Sequence, residues 1–161
     1  HSLTAAAFSP GGDWIAFGSA HLKQLMVWDW KAETYLLKEQ SHYYDISCTA
    51  LTADGASIVS GGEDGKIKVW NSTTGQCYVT FTEHQGPITG IATSQATNAV
   101  FTASKDGTVR AYDLVRYRHF RVFTHPDRVS QFTCVAVDPS GEVLAAGCAT
   151  INRVTLFSVQ T

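Results

Sequence analysis

No run of about 18 apolar residues occurs in this sequence, so none of it reads as a membrane-spanning helix. Nothing at its start has the basic-then-apolar build of a secretory leader, and no linker, low-complexity tract or heptad interrupts it. Its four cysteines, Cys48, Cys77, Cys134 and Cys148, show no Cys-x-x-Cys spacing. They read as buried free thiols in a reducing compartment, with a zinc site or a disulfide as the alternatives. There is no His-x-x-x-His pair, no glycine-rich loop opening a helix and no recurrent nucleophile motif. No metal, no cofactor and no enzymatic activity is therefore expected. Twelve basic against fourteen acidic residues give a formal charge of −2. That balance argues against a wholesale binder of polyanions and leaves local patches open.

What is present is a repeat. In the stretch Gly61-Gly62-Glu63-Asp64-Gly65-Lys66-Ile67-Lys68-Val69-Trp70-Asn71, an Asp-Gly pair suited to positive φ separates two strand-like runs, which reads as a hairpin. Trp70 lies 42 residues after Trp28 and 42 before Tyr112, and Phe157 follows after 45. Each aromatic closes a segment of the same build, and an alanine (Ala7, Ala50, Ala92 or Ala136) lies 20 or 21 residues ahead of it. A period of about 40 to 45 residues with four strand-like runs per unit is the signature of an all-β, WD40-type β-propeller. With 161 residues and 44% apolar content the chain can bury a core, and its length makes just under four units. It is read as one domain, residues 1–161, with units at about 3–40, 46–83, 88–124 and 130–161. Those are about four blades of an incomplete ring of about seven. Unpaired sheet edges would then invite self-association. First strands should be small-residue strands because blades crowd near the axis, as Ala5, Cys48, Gly90 and Cys134 suggest.

Two polar sets recur with the repeat. His42 precedes Trp70 by 28 residues, and His84 precedes Tyr112 by the same interval. His42, Ser60, Asp64 and Trp70 in one blade, and His84, Thr102, Asp106 and Tyr112 in the next, are expected to form buried hydrogen-bond networks. A Ser/His/Asp grouping also resembles a hydrolase triad, but catalytic groups need not recur once per blade. The first and fourth units lack the set, with Leu22 and Ile151 near the Asp place, and should be less rigid. His21, in an irregular turn, reads as solvated.

Arginine is unevenly spread: Arg110, Arg116, Arg118, Arg121 and Arg128 fall within nineteen residues, leaving Arg153 elsewhere. Arg116, Tyr117, Arg118 and Arg121, with His119 and Phe120 among them, fit three readings. They could form a solvated outer strand over packed aromatics, a protein interface, or a grip on RNA phosphates and bases. Asp113 and Asp127 dilute the charge.

Several segments are similar to the periodic tryptophan protein 2 family. They are Thr4-Ala5-Ala6-Ala7-Phe8-Ser9-Pro10, Asp13-Trp14-Ile15-Ala16, Val79-Thr80-Phe81-Thr82-Glu83-His84 and Asp106-Gly107-Thr108-Val109-Arg110-Ala111-Tyr112-Asp113-Leu114. Arg116-Tyr117-Arg118-His119-Phe120-Arg121, Cys134-Val135-Ala136-Val137-Asp138 and Ser140-Gly141-Glu142 complete the set. The resemblance implies a nucleolar, non-enzymatic scaffold of the small-subunit processome. Such a scaffold assembles with other WD-repeat proteins on the U3 small nucleolar RNA and the leader of pre-ribosomal RNA during 18S rRNA biogenesis. It implies two tandem propellers and a helical tail in the family member, with this chain in the first propeller. The competing function is a WD40 interaction module of another pathway, a peptide reader or ubiquitin-ligase substrate receptor.

Overall fold

The computed structural model describes residues 3–19, 22–40, 42–126 and 131–159; the readings made on His21, Asp127 and Arg128 lie outside them. Every regular element among the described residues is a β-strand. The first sheet comprises β1 (Leu3–Phe8), β2 (Trp14–Ser19), β3 (Gln24–Asp29) and β4 (Thr34–Gln40). The second comprises β5 (Ile46–Leu51), β6 (Ser57–Gly62), β7 (Ile67–Asn71) and β8 (Cys77–Phe81). The third holds β9 (Ile88–Ser94), β10 (Ala99–Ser104), β11 (Thr108–Asp113) and β12 (Arg118–Thr124). The fourth holds β13 (Phe132–Val137), β14 (Val143–Cys148) and β15 (Arg153–Ser158). Strands pair antiparallel with their neighbours in sequence, so each sheet is a meander, the blade expected of a WD-type propeller.

The repeat that organised the sequence also sets the register. The closing aromatic of each third strand stands opposite an aliphatic residue of the second: Trp28 opposite Ile15, Trp70 opposite Ile58, Tyr112 opposite Val100 and Phe157 opposite Leu144. The turn between second and third strands needs a left-handed residue. Gly65 (φ 73°) and Gly107 (φ 85°) supply it where the sequence has Asp-Gly. Lys23 (φ 52°) and Asn152 (φ 51°) take the same conformation in the first and fourth units, so the missing Asp-Gly pair leaves the turn shape unchanged.

No sheet buries both its faces alone. The core is three separate layers, one at each junction between consecutive sheets. Leu25, Val27 and Leu37 of the first sheet meet Ile46, Ile58 and Trp70 of the second. Val59, Val69 and Phe81 meet Ile88, Val100 and Tyr112 of the third. Phe101, Val109 and Phe123 meet Phe132, Leu144 and Ala146 of the fourth. Two further features lock these junctions. Hydroxyls at matched places in the first strands cross to the next sheet: Thr4 donates to the Ile46 carbonyl, Ser47 to that of Ile88 and Thr89 to that of Phe132. Glycines receive the large residue beside that carbonyl; a Cβ on Gly18 would lie 2.7 Å from Ile46, and one on Gly61 would lie 2.6 Å from Ile88. On the outward side of the fourth sheet, Val154 and Leu156 each stay 69% exposed.

The expectation that all four cysteines are buried needs correction. Cys148 is buried, but Cys77 is exposed on an outer strand and Cys134 is exposed on the first strand of the fourth sheet. Cys48, Cys77 and Cys134 are free thiols. Burial pushes the Cys48 thiol up to about 12, which keeps it protonated and inert.

Since the Gly61 position sits against Ile88 and the Cys48 sulfur (2.8 Å), even one added methyl overpacks the junction. Gly61→Ala should cost about 1–3 kcal/mol, seen as a lower urea midpoint in equilibrium unfolding. An unchanged midpoint would mean that the junction has slack.

Candidate functional site

The sequence singled out two polar sets, and the structure brings most of their members together. In the second sheet, β6 carries Ser60, the following turn carries Asp64, β7 carries Trp70, and His42 lies in the loop entering the sheet. His42 Nε2 lies 2.9 Å from Ser60 Oγ, and His42 Nδ1 lies 3.1 Å from Asp64 Oδ1. The Trp70 indole N–H donates to Ser60 Oγ at 3.0 Å. One assignment satisfies every member. Trp70 donates to Ser60, Ser60 donates to Nε2 of a neutral His42, and His42 Nδ1–H donates to the Asp64 carboxylate.

The acid groups do a second job. Asp64 also accepts from the backbone N–H of Tyr43 (3.3 Å) and of Lys66 (3.0 Å), tying the entry loop to the hairpin turn. In the third sheet Asp106 likewise accepts from Gln85 N–H (3.1 Å) and Thr108 N–H (2.9 Å). His84 lies 2.7 Å from Asp106 and 2.8 Å from Thr102 Oγ1.

The third sheet's set departs from the expectation at its aromatic. The Tyr112 hydroxyl is buried beside Thr102 and makes no well-formed hydrogen bond. A phenol carries its hydroxyl on the ring axis, whereas the Trp70 indole N–H projects from the side of its ring, and burial raises the Tyr112 pKa. The first and fourth sheets replace the hydroxyl itself: Phe17 and Ala146 occupy the register position of Ser60.

Ser60, His42 and Asp64 reproduce the order of contacts in a hydrolase triad, so access decides what they can do. Ser60 is 0% exposed, and its oxygen already receives the Trp70 N–H. A nucleophile there has no approach for a substrate carbonyl. The same order of contacts returns with a threonine in the next sheet, 42 residues on. The grouping is a staple within the blade.

The arginine run divides. A β-bulge between Ala111 and Tyr112 leaves Phe120 without a register partner, which puts Arg118 opposite Asp113 and Arg121 opposite Ala111, on one face. That face turns toward the fourth sheet. There Arg121 donates to the Val159 carbonyl at 2.8 Å and lies 5.1 Å from the Phe123 ring centre. Arg121 is therefore engaged as a clip between sheets. Arg116 is exposed and sits 3.8 Å from Asp113, Arg118 is exposed, and Tyr117 turns toward Tyr78 of the second sheet. The inter-sheet hydroxyls Thr4, Ser47 and Thr89 were passed over in the sequence, although their spacing of 42 or 43 residues carries the repeat as clearly as the tryptophans do.

Protonation makes the staples sensitive to acid. Burial depresses the His42 pKa below its ordinary value, outweighing the pull of Asp64. Burial disfavours ionised Asp64, but the Lys66 N–H, His42 and the Tyr43 N–H together hold its pKa low. Asp106 is held well below the usual carboxylate range by His84, Thr108 and the Gln85 N–H, again against burial. The unfolded chain takes up a proton on His42 below about pH 6.5 and on both carboxylates below about pH 4, while the folded chain resists. Melting temperature should therefore be flat between about pH 7 and pH 8 and fall in two stages as pH drops through those acid windows. A profile that rises toward acid would overturn the assignment. His42→Ala should cost about 1–3 kcal/mol by leaving buried partners unmet. Tyr112→Phe should be neutral or stabilising in the same thermal assay, because its hydroxyl has no bond to lose.

Comparison with known proteins gives the relationships. Residues 34–71 and 75–113 match the WD domain, G-beta repeat. Each match begins in or near the outer strand of one sheet and ends with the third strand of the next, so the sequence repeat is offset from the structural blade. The chain is 50% identical, over 100% of its length and 18% of the relative's, to a Periodic tryptophan protein 2 homolog of Dictyostelium discoideum. It is 48% identical to the Mus musculus Periodic tryptophan protein 2 homolog, over 99% of this chain and 17% of that protein. A more distant relative, at 27% identity over 91% of this chain and 35% of the relative, is the Pre-rRNA-processing protein IPI3 of Meyerozyma guilliermondii. The chain thus spans under a fifth of the length of the first two proteins, and it aligns with them over nearly every residue that it has.

Proposed function

From its homology to the Periodic tryptophan protein 2 family, whose WD repeats it shares, we propose that this chain is a non-enzymatic assembly platform in ribosomal RNA processing. More specifically, it acts in small-subunit (18S rRNA) biogenesis in the nucleolus, within the U3 small nucleolar ribonucleoprotein complex, beside other WD-repeat proteins. The observation that carries this reading is the whole-chain identity of 38–52% to proteins of that one name. A relative named for pre-rRNA processing supports the same pathway. The site supports the non-enzymatic part, because the Ser-His-Asp grouping is closed and structural.

The surfaces suited to assembly are of two kinds. The outward apolar side of the fourth sheet, with Val154 and Leu156, would accept another sheet of the same repeat or a second copy of the chain. Among the described residues of the arginine run, Arg116 and Arg118 are exposed and open to RNA or an acidic protein surface.

The test is to tag the protein in cells, purify it and sequence the RNA that accompanies it, with a second arm carrying Arg116→Glu and Arg118→Glu. Strong enrichment of U3 and pre-ribosomal leader RNA is expected, with partial loss in the charge-reversed arm. Recovery of an unrelated partner set without that RNA would instead favour a WD interaction module of another pathway.

A further inference from the structure

Between the second and third sheets, at the end of the blades bearing the turn after each third strand, a cavity of about 320 Å³ opens to solvent. Asp54, Ser57, Tyr78, Gln95, Asn98 and Tyr117 supply its polar and aromatic lining, and no lysine or arginine is among its lining residues. Three features set its chemistry. Tyr78 and Tyr117, one from each sheet, meet edge to face with ring centres 5.8 Å apart, yet stay 42% and 52% exposed, so ring surface is presented to solvent. The Tyr78 ring is fixed by a 2.7 Å hydrogen bond between its hydroxyl and Ser57. Asp54 is held ionised: Thr52 and the Ala56 N–H both bond its Oδ1 and lower its pKa, and Oδ2 remains as an acceptor.

Tyr117 is the telling residue. It occupies the left-handed position of the turn after the third strand, at φ 52°. The matched residues are Glu33 (φ 54°) in the first sheet and Gly75 (φ 72°) in the second, and only the glycine takes that conformation without steric cost. A bulky aromatic at positive φ is costly for the fold, and such costs are kept where the side chain has a use. Here the conformation delivers the ring to Tyr78 across the junction. Nothing in the hairpin itself needs an aromatic: Asp113 already closes the turn by accepting from the N–H groups of Val115 and Arg116.

We infer that this cavity is a recognition site for an arginine side chain presented by a partner polypeptide. The guanidinium plane would lie against tyrosine rings, whose negative faces attract a cation, and donate to the Asp54 carboxylate. The amide oxygens of Gln95 and Asn98 could accept its remaining N–H groups. A lysine ammonium lacks the planar fork that several spaced acceptors reward, and an anionic group would meet Asp54 with no cation to offset it.

The experiment is a nuclear magnetic resonance titration of the 15N-labelled 161-residue chain with a capped glycine–arginine–glycine tripeptide. The control peptide replaces arginine with citrulline, its neutral isostere. Saturable amide shifts confined to 53–57, 94–99 and 115–117 are expected with the arginine peptide, and roughly five-fold weaker binding with citrulline. Tyr117→Gly suits the backbone, so it should keep or raise the melting temperature while weakening binding by a similar factor. Asp54→Asn keeps the Oδ1 acceptor for Ala56 and should do the same. Shifts that are absent from these residues, equal for citrulline, or untouched by both substitutions would overturn the site. Because no RNA or pathway partner enters this titration, its outcome is separable from that of the co-purification test.

Discussion

Every other feature of this chain depends on one packing constraint: a four-stranded meander has two faces and can bury neither by itself. Ile58 opposite Trp70 and Val100 opposite Tyr112 are fully buried only because the adjacent sheet covers them. Stability in such an array is a sum of junction terms more than a property of one central core. This explains why Gly18 and Gly61, where an added Cβ would lie under 3 Å from the next sheet's isoleucine, have no room for a side chain. It also explains why hydroxyl groups in the first strands reach across to the next sheet's carbonyls.

The His-Ser-Asp-Trp set serves the other direction, within a sheet and across its loops. Its carboxylate gathers N–H groups from two loops that would otherwise hydrogen-bond water, and its imidazole passes that order down to the strand hydroxyl. A charged group is tolerated there because it lies at the rim and every lone pair that matters is met. The third sheet shows that the device works with substitutions. Threonine serves as well as serine, but tyrosine replaces the tryptophan's volume without its hydrogen bond. The first and fourth sheets dispense with the hydroxyl and fill its place with Phe17 and Ala146.

Much of this was legible in the residue order, because repetition multiplies a weak local signal. One Asp-Gly hairpin says little; Trp28, Trp70, Tyr112 and Phe157 at near-constant spacing define the strands, the register and the fold class together. The histidine sets were legible for the same reason. What escaped was whatever depends on geometry that spacing does not encode. The bulge beside Tyr112 decides which face Arg121 joins, and so turns a candidate RNA contact into a clip on Val159. The exposure of Cys77 and Cys134 follows from which side of a sheet is covered, which a strand's own residues do not state. The pairing of Tyr78 with Tyr117 needed the left-handed turn, for which the sequence offered only a tyrosine where a matched unit has glycine.

The crossing hydroxyl bonds span 41 to 43 residues, and the strand pairs within a sheet span far fewer. No contact that matters to a junction therefore waits for a distant part of the chain. Loop-closure entropy is small at each step, and a sheet can dock on its predecessor as soon as its own first strand is available. The order of the sheets in space is thus also an order in time. Such a chain can be laid down one blade after another while it leaves the ribosome, each finished blade serving as the template on which the next one condenses.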